Sequence, residues 1–207
     1  MHPNPAFRET PERLNRAFAA ERGFGTLAVN ADAGPLLAHV PFLLTADSGF
    51  VELHLVRSNP IVRALDTPVP AVIAVSGPDS YISPDWYGIN NQVPTWNYVA
   101  VHLRGMLSRR PEAELPGLLD RLSAAFENRL LPKAPWTADK MDSDARNRLM
   151  RQIVPCRLEI AGVNGTWKLS QNKPDAARRA AADQVADHGL GSDVRLLSEL
   201  MRAPPKP

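Results

Sequence analysis

The chain has 207 residues, of which 44% are hydrophobic and 22% are charged. This length and composition are typical of one substantial globular domain, with or without a small appended subdomain. The formal net charge of +2 creates no global field that would demand a polyanionic partner, so it gives little support to a nucleic-acid-binding class. The single cysteine, Cys156, excludes an internal disulfide and fits a reducing cytoplasm.

Two further patterns bear on location. Residues 1–14 lack the apolar core of a signal peptide. The longest nearly apolar run, residues 35–44, is about half as long as a membrane-spanning helix. We therefore expect a soluble, cytoplasmic protein.

The first third of the sequence predicts one helix followed by antiparallel strands. Thr10 and Pro11 suit a helix start, because threonine can cap and proline fits the first turn, and Gly23 suits its end. Strand-like runs follow at residues 24–30, 36–44 and 50–56. Their connectors, ADAGP and TADSG, are typical of hairpin turns. Connectors this short join antiparallel neighbours and argue against a doubly wound α/β domain.

The middle of the chain predicts a short helix near residues 61–66 and two further strands. One is a short apolar strand at 71–76. The other spans 96–110, where Val99, Val101 and Leu103 fall on one face because side chains alternate along a strand. Between them, a loop of roughly twenty residues without regular structure is expected, and such loops are uncommon unless they are functional.

The last part of the chain predicts helices, then strands, then helices again. Residues 112–130 follow a helical period, and a second helix is expected at about 143–153. Strand alternation returns at 156–161, followed by a predicted turn at 163–165 and a last strand at 166–170. Residues 175–202 predict two helices interrupted at 188–192, and the tail at 203–207 is expected to be disordered.

These patterns together predict a mainly β fold with helices, of the α+β class. Its centre is an antiparallel barrel of six or seven strands. The barrel domain would span residues 1–173 and include a helical excursion at about 112–153. Residues 174–207 would form a C-terminal helical extension with a disordered tail.

Residues 57–60, Arg-Ser-Asn-Pro, contain the strongest local chemistry. Ser58 or Asn59 can cap the following helix, whose free N–H groups and positive dipole end attract anions. Together with the cation of Arg57, these are the components of a phosphate site. The alternative is an ordinary helix cap beside a solvated arginine, and the local pattern favours it because capping signals are common.

Residues 77–105 are rich in aromatic side chains. They hold two of the four tryptophans and all three tyrosines of the chain. A loop of this composition either builds a pocket for a flat ligand or plugs the end of the barrel. The pattern by itself leaves both alternatives open.

Other site types find little support. His39, His54 and His102 fall on different predicted strands without ligand spacing, so we predict no metal site. No motif pairs a nucleophile with a base, so the catalytic residues are unknown. Acidic residues interleave with the arginines of 142–183, and no DNA-reading element is evident.

Six segments resemble the PaiB-like family of FMN-binding negative transcriptional regulators. In order, they are FGT at 24–26, AHVP at 38–41, RSNP at 57–60, GP…YISP…WY within 77–87, VPTWNY…AVH within 93–102, and KLSQN at 168–172. The VPTWNY and KLSQN strings are specific. The resemblance implies a split β-barrel of the flavin-binding type with FMN as its cofactor.

The resemblance also implies a homodimer, with FMN in a groove at the subunit interface. Arg57, Ser58 and Asn59 would contact the phosphate. His39 and Pro41 would line the groove. The side chains that approach the flavin ring would be Trp96, Asn97, Lys168, Ser170, Gln171 and Asn172.

Three functional hypotheses follow from the resemblance. The first is an FMN-binding negative transcriptional regulator that acts on DNA directly or indirectly. The second is an FMN-dependent oxidoreductase or flavin reductase, in which FMN carries the redox chemistry for an unknown small molecule. The third is a haem-binding split barrel with His39 or His102 as the axial ligand.

Overall fold

A closed barrel of six antiparallel strands forms the centre of the fold. The computed structural model describes residues 2–44 and 49–206. Within these residues the strand order is β1-β2-β3-β6-β5-β4. The strands are β1 (Phe24–Val29), β2 (Leu36–Leu44), β3 (Phe50–Val56), β4 (Val69–Ile82), β5 (Thr95–Arg109) and β6 (Ile153–Lys168). The predicted antiparallel barrel is confirmed, with six strands.

Six α-helices accompany the strands in the described part of the chain. They are α1 (Glu12–Arg22), α2 (Pro60–Arg63), α3 (Leu115–Glu127), α4 (Ser143–Met150), α5 (Asp175–His188) and α6 (Val194–Arg202). Short 3₁₀ turns precede and follow α3, so the predicted helix at 112–130 is one α-helix with tighter ends. None of the helices in these ranges is both long and apolar enough to cross a membrane.

The first predicted hairpin is confirmed, and the structure adds its register. β1 pairs with β2 from Phe24 opposite Pro41 to Val29 opposite Leu36, and the ADAGP segment turns between them. Gly34 in this turn has a φ of +113°, a conformation that side chains disfavour. The second connector, TADSG, falls mainly on residues 45–48, which lie outside the described residues.

The chain divides into two compact units, which we call the first and second unit. The first comprises Met1–Phe18, Val75–His102 and Val163–Pro207, and the second comprises Ala19–Ala74 and Leu103–Gly162. Alternate strand residues turn inward in each unit and form its apolar core. Fully buried members in the first unit include Ile82, Val101 and Leu169. Those in the second include Phe42, Leu53, Ile73, Leu103 and Leu158.

Strand β4 is longer than the sequence predicts. It continues through Gly77 and Pro78 to Ile82, so the connection to β5 shrinks from roughly twenty residues to residues 83–94, which include a 3₁₀ turn at Pro84–Tyr87. A Cβ at Gly77 would lie 2.5 Å from Phe18 Cζ and 3.0 Å from Val99 Cβ. The glycine therefore marks a close packing approach within a strand rather than a turn.

Strand β6 is continuous, and the predicted turn at 163–165 is wrong. The strand runs for 16 residues from Ile153 to Lys168. A Cβ at Gly165 would lie 2.0 Å from Asn15 Oδ1, whose side chain also accepts a hydrogen bond of 2.8 Å from Trp167 Nε1. Gly165 is thus required by the approach of Asn15 to the strand, which a local Val-Asn-Gly pattern does not reveal.

Candidate functional site

One cavity in the first unit gathers four of the predicted flavin-ring residues. It has a volume of about 180 Å³ and we call it the lysine–asparagine cavity. Of the predicted residues, it contains Asn97, Lys168, Ser170 and Asn172. The rest of its lining is Phe7, Tyr87, Val93, Thr95 and Lys173.

Strand ends position these side chains. Thr95 and Asn97 stand two residues apart at the start of β5 and therefore share a face. Lys168 is the last residue of β6, and Ser170 follows in a tight turn. Ser170 has a φ of +60°, which is uncommon for a residue with a side chain, and it is buried. Such strain persists only where the surroundings enforce it, and it is often found at ligand sites.

Asn97 contributes a buried carboxamide to the cavity lining. The residue is fully buried. Its Nδ2 donates hydrogen bonds to Ser170 Oγ at 2.8 Å and to Met201 Sδ at 3.4 Å. Its Oδ1 is also buried but has no hydrogen-bond partner among the described residues. A buried acceptor without a donor is costly, so Oδ1 is a natural point for a ligand N–H group.

Tyr87 and Lys173 form another wall of the cavity. The Tyr87 hydroxyl and Ser170 Oγ are 2.7 Å apart and share a hydrogen bond. Burial raises the pKa of Tyr87 despite that bond, so the phenol stays protonated at neutral pH. The Lys173 ammonium lies 5.5 Å from the centre of the Tyr87 ring, within cation–π range, and donates to Gln92 Oε1.

Lys168 brings a second ammonium group to the cavity. Its Nζ donates a hydrogen bond to Thr95 Oγ1. Partial burial lowers the pKa of Lys168, because desolvation disfavours its charged form. The cavity therefore combines one unsatisfied acceptor with two cationic donors and three hydroxyls, those of Tyr87, Thr95 and Ser170. This set complements a polar ring edge that carries both an N–H group and carbonyl oxygens.

The two remaining predicted ring contacts, Gln171 and Trp96, do not line the cavity. Gln171 bonds to the backbone: its Oε1 accepts from Leu169 N at 2.8 Å, and its Nε2 donates to Trp167 O at 2.6 Å. Its side chain therefore ties the turn after β6. Trp96 points to the opposite face of β5 from Asn97 and is 49% exposed. It makes an edge-to-face contact with Tyr81, with ring centroids 6.4 Å apart.

The predicted phosphate segment lies in the second unit, and its described contacts are structural. Asn59 caps α2, since its Oδ1 accepts from Ile61 N at 2.9 Å. Arg57 donates to Glu112 Oε1 at 2.8 Å and to the Arg151 carbonyl at 2.9 Å. Ser58 is exposed. These contacts are those of an ordinary helix cap beside a paired arginine. Arg57 also lines a cavity of about 240 Å³. The phosphate role of this segment stays a prediction.

The two groove residues predicted on β2 also belong to the second unit. His39 is exposed, and its Nδ1 lies 3.1 Å from Thr26 Oγ1 on the neighbouring strand. Pro41 is half-buried and stands opposite Phe24. Their role in a subunit groove remains a prediction.

Several cavity residues are missing from the sequence prediction. Thr95 and Lys173 could have been found, because Thr95 alternates with Asn97 on one strand and Lys173 directly follows the KLSQN string. Phe7, which lines the cavity, and Met201, which contacts Asn97, give no comparable signal. They reach the cavity region from positions far away in the chain, through packing that local patterns do not encode.

Other reactive groups give no alternative site. Cys156 is buried, and burial raises the pKa of its thiol to about 12, so it is a poor nucleophile at neutral pH. In the described ranges, no group of three or more histidine, cysteine, aspartate or glutamate side chains is arranged to hold a metal ion.

Comparison with known proteins identifies a family. Residues 1–162 match the sequence model of the family described as "Putative FMN-binding domain". The chain is 27% identical over 186 residues to "Protease synthase and sporulation protein PAI 2" of Bacillus subtilis (strain 168). That alignment covers 89% of this chain and 88% of the relative.

Solved structures support the fold. An FAD and heme binding protein from Mycobacterium smegmatis aligns with a TM-score of 0.56 and 18% identity, covering 89% of this chain and 82% of that one. The flavocytochrome Anf3 from Azotobacter vinelandii aligns with a TM-score of 0.54 and 16% identity, covering 81% and 72%. At these identities the likeness concerns the fold alone. The match to the FMN-binding domain spans most of the sequence, and the chain therefore belongs to the PaiB-like family of FMN-binding split-barrel proteins.

Proposed function

We propose that this protein is an FMN-binding negative regulator of transcription, acting directly or indirectly, and that it holds the polar edge of the flavin ring in the lysine–asparagine cavity. The family supplies FMN as the cofactor. The observation that carries the placement is the buried Asn97 Oδ1, an acceptor without a partner among the described residues, in a cavity lined by two lysines.

The residues of the cavity fit one part of FMN better than the other. The pyrimidine edge of a flavin presents an N–H group and two carbonyl oxygens. Asn97 Oδ1 can accept from the N–H, while Lys168 and Lys173 can donate to carbonyl oxygens. A phosphate has no donor for Asn97 Oδ1 when it is fully ionised. At about 180 Å³ the cavity is smaller than the roughly 300–1,000 Å³ typical of whole-ligand sites, which suits one edge of the ring.

The rest of the cofactor follows the predictions made from the resemblance. Arg57, Ser58 and Asn59 would bind the phosphate. His39, Pro41 and Trp96 would line a groove completed by a second copy of the chain, with Gln171 and Asn172 near the ring. The protein would act as a homodimer in the cytoplasm.

An oxidoreductase is the second candidate function, and Lys168 is the observation that favours it. FMN supplies hydride and single-electron transfer when bound. The Lys168 ammonium lines the same cavity and has a lowered pKa, so it could offset negative charge or donate a proton there. A haem-binding role is a third hypothesis, which the visible spectrum of the purified protein separates from flavin binding.

An FMN titration of the purified protein tests the placement. We expect Lys168→Met to weaken FMN binding at least about tenfold, or about 1.4 kcal/mol. Lys206→Met, which removes an exposed lysine of the same unit, should leave the affinity unchanged. Arg57→Ala tests the phosphate segment in the same way. Equal affinity in the wild type and Lys168→Met would show that the cavity is not the ring site.

Two assays then separate regulation from catalysis. A direct regulator retards promoter DNA in a gel, with an effect of FMN on the retarded fraction. An oxidoreductase shows reduction of bound FMN by a nicotinamide nucleotide and turnover with an acceptor. If the protein retards no DNA, the hypothesis of direct regulation is rejected. If bound FMN is not reduced, the oxidoreductase hypothesis is rejected.

A further inference from the structure

The C-terminal helix α6 reaches the Asn97 carboxamide through one side chain. Met201, near the end of α6, is fully buried, and its Sδ accepts a hydrogen bond from Asn97 Nδ2 at 3.4 Å. The two residues are 104 positions apart. Met201 also lies beyond residues 1–162, the part that matches the family sequence model.

The thioether determines which end of the carboxamide faces it. A thioether sulfur has lone pairs and no proton, so it can accept from an NH₂ group but cannot donate to a carbonyl oxygen. The other partner, Ser170, has a hydroxyl that can rotate to donate or accept. Of these two neighbours, only Met201 therefore discriminates between the two orientations of the amide. With Nδ2 held at Met201 and Ser170, Oδ1 remains without a partner in the described structure.

Met201 is itself firmly held. Its carbonyl accepts a hydrogen bond of 2.7 Å from Arg178 Nε on α5, and Arg178 is only 7% exposed. Asp175 pairs with the same guanidinium at 2.6 Å. Ser198 Oγ on α6 donates to the Ala182 carbonyl on α5 at 2.7 Å. The two buried bonds from Arg178 to the Met201 carbonyl and from Ser198 to the Ala182 carbonyl fix α6 against α5, so the sulfur cannot easily move away from Asn97.

We propose that Met201 is a positioning residue that locks the Asn97 carboxamide with Oδ1 free, and so makes the cavity selective for ligands that present an N–H donor. The inference rests on the proposed function for the identity of that ligand, the N3–H of the flavin. It gives the C-terminal helices a role in specificity. Reversal of the amide would present an NH₂ group instead, which would favour a ligand acceptor.

The first experiment needs no cofactor. Hydrogen exchange of the Asn97 side-chain NH₂ is followed by NMR in ¹⁵N-labelled full-length protein. We expect a protected NH₂ in the wild type and at least about tenfold faster exchange in Met201→Leu, which keeps the volume but removes the acceptor. Met150→Leu, the same change on α4, is the control and should leave the Asn97 exchange rate unchanged. Unchanged exchange in Met201→Leu would overturn the proposal.

The second experiment measures selectivity. FMN and its N3-methyl derivative, which lacks the donor, are titrated into the wild type and both variants. We expect the wild type to bind FMN at least about tenfold more tightly than the N3-methyl derivative. In Met201→Leu this affinity ratio should fall by a factor of at least about three. The same preference in both proteins would refute the role in specificity. If the exchange result holds but neither flavin binds the wild type, the proposed function fails while the positioning of Asn97 by Met201 stands.

Discussion

His54 on β3 is a half-buried histidine whose Nδ1 has no hydrogen-bond partner among the described residues. Burial lowers its pKa below the ordinary value of 6.5, because desolvation disfavours the imidazolium. The unfolded chain therefore takes up a proton at a higher pH than the folded chain does. Above pH 6.5 both states are neutral at this residue. As the pH falls from 6.5 through the lowered folded pKa, the unfolded state gains stability relative to the folded state.

We expect acidification below pH 6.5 to destabilise the protein, with a contribution from His54 of at most about 1.4 kcal/mol per pH unit. Urea unfolding at pH 7.5, 6.0 and 5.0 measures the free energy of unfolding. His54→Gln should flatten this pH dependence. His188→Gln, which removes an exposed histidine on α5, should flatten it less. A slope that is the same in the wild type and His54→Gln would contradict the assignment.

Strand β5 has no room for a side chain at Gly105. A Cβ there would lie 1.7 Å from the Glu159 carbonyl oxygen on β6 and 2.7 Å from its carbonyl carbon. Backbone atoms cannot step aside as a flexible side chain can. Gly162 on β6 does have room for a side chain, because a Cβ at that position meets no atom within 4 Å. The two positions form a matched pair for testing the approach of the strands.

Gly105→Ala should destabilise the fold by more than about 3 kcal/mol, since the strands must separate to admit one methyl group. Gly162→Ala should change stability by less than about 1 kcal/mol, because it meets open space and also restricts the unfolded chain. Chemical denaturation of both variants measures the difference. Similar stabilities of the two variants would rule out this close approach of β5 and β6.

The same close approaches explain where sequence prediction of the elements fails. Gly77-Pro78 and Val163-Asn164-Gly165 have the local composition of turns, yet both segments lie inside long strands. In each case the glycine is needed because another part of the first unit, Phe18 or Asn15, packs against the backbone. The strands at 24–29, 36–44 and 50–56 are predicted nearly to the residue, because their hairpins are local.

At the scale of the whole molecule, FMN and a second copy should each stabilise the folded state. A ligand at a hundredfold excess over its Kd adds about 2.7 kcal/mol to the free energy of unfolding. For a chain of 207 residues this corresponds to a rise in Tm of roughly 5–10 °C.

A homodimer should also show a Tm that rises with protein concentration. Differential scanning calorimetry at two protein concentrations, with and without FMN, measures both effects.

Two results would count against this prediction. A Tm that does not respond to saturating FMN would contradict cofactor binding to the folded state. A Tm that is independent of protein concentration would contradict the homodimer. Lys168→Met at the same FMN concentration is the control and should show a smaller shift than the wild type does.

Local sequence patterns are enough to predict the antiparallel barrel and its helical additions, and the family resemblance names four residues that line the cavity. Alternation and turn signals are properties of neighbouring residues, so they can be read from short segments. Which residues contact one another depends on how distant segments pack. Asn97 and Ser170 are 73 positions apart, and Asn97 and Met201 are 104 apart, yet one carboxamide contacts both. Packing of distant segments, rather than any local preference, leaves one buried oxygen of Asn97 without a hydrogen-bond partner among the described residues.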